Sequence, residues 1–585
     1  MTGERDQHRN AGRRHLDERS LRERVTANPR PAILWIAGLL ALLALELGTI
    51  AGVTLEAGSW IGTRTTGLWE RGGLSRVALL AVALVGLVGA SGRLSAIDRF
   101  RVTAGAGVDA EGDSNAAVDA DTSESNESRV PNTPRAVDTA VIAALVGTVV
   151  VLAIWVGAAG LVRTVGQGTL TWIADLPTLT AREVISNEGY QTPDGTWHGT
   201  FLGLSPAVAW ALRVVVIYAY ALLWVGWVFV GYRWFRTHYR RVEWTPRDDV
   251  VDRLRRHRWA QFGMVVVFVF LVMALFAPVL GPTTAEADLY GPYSHTFEYY
   301  DQGSGSVEEL TVGEANLETR SVGYEAENVG PMSYDEYDRF HPFGTMPDGS
   351  DLFTFLVAGA RISLVIGLLS VGLSGALATV FALISAYYRG LADLVLVVTG
   401  DTVMGVPRLL LLILLTVLLA DTWLGGLYDG GILLAVVLAV TGWPYLWRSF
   451  RGPALQIAEA EWIDAARGFG QSTTVIMRTH MLPYLVGYLL IYCSMVLGGV
   501  ILAVAGLSFL GLGITAPTPE WGRAVNLGQD YIATTSWHIS LIPGLMITLV
   551  VTGFNALGDG VRDAIDPKAD DSSSDNASNA RGGGV

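Results

Sequence analysis

Apolar runs of about 20 residues recur along this chain, each long enough to cross about 30 Å of hydrocarbon at about 1.5 Å per residue. Ten are visible, near Ile33–Val53, Arg76–Gly92, Thr139–Gly160, Val208–Gly231, Gln261–Gly281, Ile362–Ala386, Leu394–Leu419, Gly431–Trp447, Tyr484–Ala505 and Ile539–Ala556. Only 16% of residues are charged against 51% hydrophobic, too few charges to cover a soluble surface. The expectation is an all-α polytopic membrane protein of about ten transmembrane helices, four before about Trp244 and six after it.

Ten crossings put both termini on one side, and the loop charges say which. Residues Met1–Arg30 hold eight arginines and Arg233–Arg258 hold nine, whereas Thr283–Phe340 carries thirteen carboxylates against Arg320 and Arg339. The positive-inside bias therefore puts both termini and Arg233–Arg258 in the cytoplasm and the loop at about 283–352 outside. The first run begins after some thirty polar residues and is long enough to span, so it is expected to be an anchor and not a cleaved signal.

The net charge is −14, and Lys568 is the only lysine. Acidic, arginine-based composition of this kind suggests a halophilic, high-salt cytosol, with genomic base composition as the other source of lysine depletion. Residues 104–135 are poor in aromatics and rich in Asp, Ser, Asn and Gly, which predicts a disordered acidic linker, and the tail 568–585 reads the same way. The single cysteine, Cys493, excludes an intramolecular disulfide and any cysteine-based metal cluster.

One segment is too polar for lipid and too patterned for a loose loop: EWIDAARGFGQSTTVIMRTHMLP, Glu461 to Pro483. Trp462, Ile463, Ala465, Ala466 and Phe469 recur at helical spacing, with Glu461, Asp464 and Arg467 between them, which predicts a short amphipathic helix. Gly470 supplies a residue able to take positive φ at its end, and Ser472 is placed to cap a second helix through Val475, Ile476 and Met477. Its apolar face needs a partner, either the chain's own helix ends or another protein's groove.

Asp464-Ala465-Ala466, then Gly470, then Leu482-Pro483 resembles the EAA loop of the permease subunits of ABC importers, and the fuller run with Arg467 and His480 is similar to the dipeptide/oligopeptide branch. Asp464 stands for the usual glutamate, Thr479 for a common arginine and His480 for isoleucine. Three further segments resemble the same branch in family order: His341–Thr345 with Asp351 and Gly359–Leu364; Ser508–Gly513 with Pro517–Gly522; and Asn555 through Pro567. Met346, Pro347 and Ser350 interrupt the family's pattern after Thr345. The resemblance covers about Arg253–Pro567.

The resemblance implies a six-helix permease core at 245–567; the basic N-terminus at 1–30 and the four-helix membrane extension at 31–244, read from the apolar runs, lie outside the family's six-span plan. It implies that the loop 459–483 is a coupling element gripped by ATPase subunits. The implied partners are a second permease in a heterodimer, two cytoplasmic ABC ATPases and an extracellular substrate-binding protein, besides membrane lipid; the arginine clusters flank membrane spans, so no nucleic acid is expected. No G-x-x-x-x-G-K-[ST] exists, so nucleotide is not held by a P-loop here. No cofactor is expected, ATP being bound by the partner subunits, and no catalytic or metal site is legible.

The pathway or gate candidates are Asp401, Arg408, Gly511, Gly513, Pro517 and Trp521. Asp401 and Arg408 lie in an apolar run where an unpaired charge costs at least about 2.5 kcal/mol. They either join an aqueous pathway or sit at the inner interface beside Asp393 and Arg389, and Pro407 can kink the helix there. Ser508–Trp537 is too rich in Gly, Pro and Thr for one helix; it either closes the outer mouth or simply connects spans. Arg213 and Arg361 read as snorkelling anchors, and Trp443 to Arg451 as an aromatic belt with arginines. Two rival readings stay open, an ion-coupled secondary transporter using Asp401 and a membrane scaffold or sensor.

Overall fold

The computed structural model describes residues 20–46, 178–240, 246–320 and 328–565. The apolar runs Arg76–Gly92 and Thr139–Gly160, the linker at 104–135, the tail at 568–585 and Tyr324 lie outside the described residues. The chain forms two compact units, Met1–Leu42 with Thr180–Val585, and Leu43–Leu179.

The first unit begins with helices α1 (Leu21–Ala27) and α2 (Arg30–Ala44), strands β1 (Tyr190–Gln191) and β2 (Trp197–His198), and the long helix α3 (Pro206–His238). Helices α4 (Pro246–Arg256) and α5 (Arg258–Leu275) precede a lobe built from β3 (Thr296–Asp301), β4 (Ser306–Thr311), α6 (Val312–Glu318), β5 (Ser333–Tyr334) and β6 (Phe340–His341). Then come α7 (Leu352–Tyr388), α8 (Gly390–Gly405), α9 (Arg408–Leu419), α10 (Gly431–Ala458), α11 (Glu461–Gly468), α12 (Leu482–Phe509), α13 (Trp521–Leu527) and α14 (His538–Ile565).

Eight of the ten apolar runs fall on described residues. Six are helices long and apolar enough to cross a membrane, and two are helix pairs bent at a break. The run Leu394–Leu419 is not one continuous helix but two, α8 and α9, meeting at 90°. The cause is local, because Pro407 has no N–H to continue the ladder and excludes helical backbone from Val406, whose ψ is 134°. Ahead of the first run, α1 meets α2 at 92°; the described part of that run lies on α2, which ends at Ala44.

The core is a bundle in which α7 packs on α10, α5 on α14, and α12 on both α7 and α14. Between α5 and α14 the backbones nearly touch: a Cβ on Gly263 would sit 2.5 Å from the Leu557 amide nitrogen. Small residues at such crossings are how helices associate in lipid, where no hydrophobic force separates them from the solvent. Ile217 and Ala221 of α3 share the same buried cluster as α5, α7, α10, α12 and α14, so this helix, expected as part of a separate extension, packs directly on the core.

One end of the bundle carries the lobe, which is more than a connecting loop. A closed ring of polar side chains fixes it to α7. Asp288 accepts from Asn316 Nδ2 (3.0 Å), Asn316 Oδ1 from Arg339 (2.9 Å), and Asp335 from Arg339 Nε (2.6 Å). His341 then bridges Asp335 (3.5 Å) and Asp351 (3.0 Å), and the Asp351 amide returns to Asp288 (2.8 Å). Asp351 also caps α7 through the Thr354 amide at 2.7 Å. Tyr299 and Tyr337 pack edge to face at 5.1 Å, while Tyr293 and Tyr334 stay exposed.

Candidate functional site

At the opposite end, the patterned segment forms two arms about a glycine. Helix α11 buries Ile463 and Ala466, which join Ile476, Met481, Leu485, Phe450 and Ala458 in a second, smaller core. The remaining apolar positions face outward: Phe469 is 86% exposed, Trp462 is 48% exposed and stacks on Tyr484 at 5.7 Å, and Ala465 is exposed. The helix ends in a Schellman closure: the Gly470 amide bonds Arg467 O at 2.9 Å and the Gln471 amide bonds Ala466 O at 3.2 Å. That closure needs left-handed backbone at the first residue beyond the cap, and Gly470 has φ 72°.

The second arm differs from expectation. Ser472 makes no side-chain cap bond; Thr473–Val475 is a single helical turn that passes through a π-helical stretch, Ile476–Met481, into α12, whose first turn holds Leu482 and Pro483. His480 Nε2 and Gln471 Oε1 lie 2.9 Å apart and tie the arms together.

The turn between α7 and α8 braces α11. The Arg467 guanidinium lies over the Tyr387 ring at 4.7 Å, and Thr473 Oγ1 donates to Tyr387 Oη at 3.3 Å. Arg389, at φ 52°, pairs with Glu459 at 3.2 Å, and Arg467 pairs with Asp464 at 3.2 Å. Tyr387, Arg389, Ala458, Glu459, Asp464 and Arg467 line one open cleft. Glu461 is exposed at the start of α11. Sequence reasoning misses Tyr387; its signal is the YYRG stretch closing a long apolar run.

The charges of the bent pair meet partners across α8, α9 and α10. Asp393 accepts from Arg451 Nε at 2.7 Å and from Ser385, Asp401 pairs with Arg448, and the Arg408 guanidinium lies 5.6 Å from the Tyr445 ring centroid. Tyr445, Arg448 and Arg451, spaced by three on α10, thus each meet a partner on the bent pair. Arg448 and Arg451, expected as belt arginines, are ion-pair partners of Asp401 and Asp393.

Arg213 is a correction. It is fully buried, donating to Ile185 O (3.0 Å) and Gly281 O (2.7 Å), and does not snorkel. Arg361 is half-buried.

At the lobe end, Gly511 (φ 74°) and Pro517 are exposed and Gly513 (φ 102°) is half-buried beside Leu434. Thr518 Oγ1 donates to Asp429 at 2.6 Å, joining this loop to the turn before α10. Trp521 is enclosed, donating to Leu356 O at 2.6 Å and packing on Phe270 at 5.7 Å. Glu520 caps α13 through the Gly522 and Arg523 amides, and burial pushes its carboxyl up to about 7 against those bonds.

The loop, the ion pairs of the bent pair and helices α8 to α14 lie within residues 378–571, which match the model of the binding-protein-dependent transport system inner membrane component. Residues 245–296 match the N-terminal TM domain of oligopeptide transport permease C. The chain is 30% identical to the dipeptide transport system permease protein DppC of Alkalihalophilus pseudofirmus over 55% of its own length and 90% of the relative's. The chain belongs to the binding-protein-dependent transport permeases. It is 32% identical to DppC of Bacillus subtilis (56% of this chain, 88% of the relative) and 31% identical to the glutathione transport system permease protein GsiD of Escherichia coli (55% and 91%). As a permease of this family, it is a multi-pass membrane subunit of an ABC importer, in a family that works with ATPase and substrate-binding partners. Residues 20–240 lie outside both matched segments.

Proposed function

We propose that this permease forms part of the path for peptides and is driven through the loop 459–483. The carrying observation is the loop's construction: a small helix locked by its own core and by Tyr387, yet presenting Phe469 and Trp462 to the outside. Large exposed apolar side chains on a rigid mount suit insertion into a partner's groove. The partner is an ATPase subunit, and the loop end of the bundle is cytoplasmic, as the arginine-rich 233–258 segment supports. Both termini are then cytoplasmic, and the acidic lobe faces outward to meet a substrate-binding protein.

Closure of two ATPases would move α11 as a lever on α10 and α12 and shift the two ends of the bundle in opposition. A second permease of similar fold completes the path. Peptide cargo is supported by the names of the dipeptide and glutathione permeases. The pairing of Asp401 with Arg448 argues against a lone proton-carrying carboxylate. In proteoliposomes holding both permeases, the ATPases and the binding protein, a radiolabelled dipeptide should accumulate only with ATP. Accumulation driven by an ion gradient alone would defeat this reading.

A further inference from the structure

The first core span ends in carbonyls that its own helix cannot satisfy. α5 closes at Leu275, a single turn follows at Ala277–Leu280, and the chain leaves through Gly281 and Pro282. The last carbonyls of a helix need outside donors, and in or near lipid water is scarce.

Five donors from residues outside both matched segments converge there. Trp210 Nε1 donates to Leu280 O at 3.0 Å. Arg182 Nη1 and Arg213 Nη2 both donate to Gly281 O, each at 2.7 Å. Arg182 Nη2 (2.6 Å) and Asn187 Nδ2 (2.9 Å) donate to Pro282 O. The other Nη of Arg213 donates to Ile185 O, which fastens the 182–188 segment to α3 as well.

The same stretch reaches the lobe and the start of α7. The Gln191 amide donates to Asp338 (3.1 Å) and the Ala207 amide to Tyr334 Oη (3.3 Å). Trp197 stacks on Tyr334 at 6.1 Å, and Trp210 packs on Phe340 at 5.6 Å and Phe353 at 5.2 Å. A guanidinium gives a planar, rigid fork. Once buried, it cannot drop its carbonyl partners without leaving a charge unsolvated. Such a joint is made or broken; it does not slide.

We propose that residues 182–213 are a fixed brace, holding the lobe end of α5, the hairpin β5–β6 and the start of α7 as one body while the coupling loop is driven. Arg182, Asn187, Trp210 and Arg213 are its positioning residues. That the brace stays still during turnover rests on the coupling role proposed for the loop; that it is one rigid body does not.

The test uses the full chain with its ATPases in membrane vesicles, carrying Gln191→Cys and Asp338→Cys in a Cys493→Ser background. A short bis-methanethiosulfonate reagent should bridge the pair with equal yield without nucleotide, with ATP and with ATP plus vanadate. ATPase turnover should be unchanged by the bridge. A yield that changes several-fold with nucleotide, or turnover that stops until the bridge is reduced, would overturn the static brace. Failure to bridge in the nucleotide-free chain sinks the rigid body itself, whereas constant bridging without any ATPase association sinks the coupling role instead. Arg213→Lys keeps the charge and loses the fork, and Trp210→Phe keeps the ring and loses the N–H. Both should insert normally, with amide exchange over 276–285 about tenfold faster in Arg213→Lys and the coupling loop unaffected. Unchanged exchange at 276–285 would count against the brace.

Discussion

The guanidinium of Arg467 lies 4.7 Å from the centroid of the Tyr387 ring, so α11 rests on the last turn of α7, the longest of the described helices. A cation over a ring contributes about 0.5–1 kcal/mol at an exposed site, and the Thr473 hydroxyl adds a bond to the same phenol. Tyr387→Ala should therefore lower dipeptide transported per ATP hydrolysed by about fivefold. Tyr387→Phe, which keeps the ring, should lose less than half of it. Simultaneous assay of uptake and phosphate release checks this, and equal effects of the two variants would leave the ring with no part in coupling.

Trp35 and Trp227 exchange hydrogen bonds, each indole N–H donating to the other's carbonyl at 3.2 and 3.1 Å. Gly38 makes the room, since a Cβ there would lie 2.0 Å from the Trp227 ring. Interhelical hydrogen bonds in membranes average only about 0.6 kcal/mol, whereas overpacking costs about 1–3 kcal/mol. Gly38→Leu should thus lower the midpoint of thermal unfolding in detergent more than Trp35→Phe. The reverse order would make the hydrogen bonds, not the close fit, what joins α2 to α3.

The ring that anchors the lobe has a definite pH signature. Burial alone would depress His341, but Asp335 and Asp351 outweigh it and hold the imidazole up to about 9. Asp335, despite burial, is held down to about 2 by His341 and Arg339. Burial and the Asp351 charge raise Asp288 to about 6. A raised histidine stabilises fully below its unfolded value of about 6.5 and loses that contribution as pH climbs through about 9. Asp335 contributes above about 3.8 and loses it as pH falls toward about 2. Asp288 works the other way, weakening the lobe as pH rises from about 4 through about 6. Lobe stability should therefore peak near about pH 4, decline as Asp288 ionises, and fall again by roughly 3 kcal/mol between about pH 6.5 and 9. Limited proteolysis of the lobe across this range measures it. In His341→Gln the alkaline loss should vanish, and a loss that persists would assign it to other groups.

Asp401 and Arg448 are each about half exposed, and exposed pairs contribute about 0.2–1 kcal/mol. Asp401→Asn should leave ATP-driven uptake within about fivefold of the unsubstituted protein. Abolished uptake, with ion-gradient dependence in the parent, would instead favour an ion-coupled carrier.

Much of this architecture is legible in the chain because the governing signals are local. Twenty apolar residues make a span, Pro407 breaks one, and Gly470 closes a helix wherever the chain folds. The pairing of Asp401 with Arg448 and of Asp393 with Arg451 depends on the register of helices 47 and 58 residues apart along the chain, which no window reveals. Arg213 defies the sequence for a related reason: its acceptors are main-chain carbonyls, and a carbonyl leaves no mark there. His341 and Asp351 are visible as a motif, while Asp288 and Asn316, which close their ring, lie among many acidic and polar residues with nothing to distinguish them.

The coupling proposed for this loop requires a separate motor that grips it at Phe469. Phe469→Cys in a Cys493→Ser background, treated with a bifunctional thiol reagent alongside the co-purified ATPases, tests it directly. The expected result is a covalent adduct with an ATPase subunit whose yield changes between nucleotide-free and ATP-bound conditions. No adduct in any nucleotide condition, with the same cysteine freely labelled by a soluble maleimide, would contradict it.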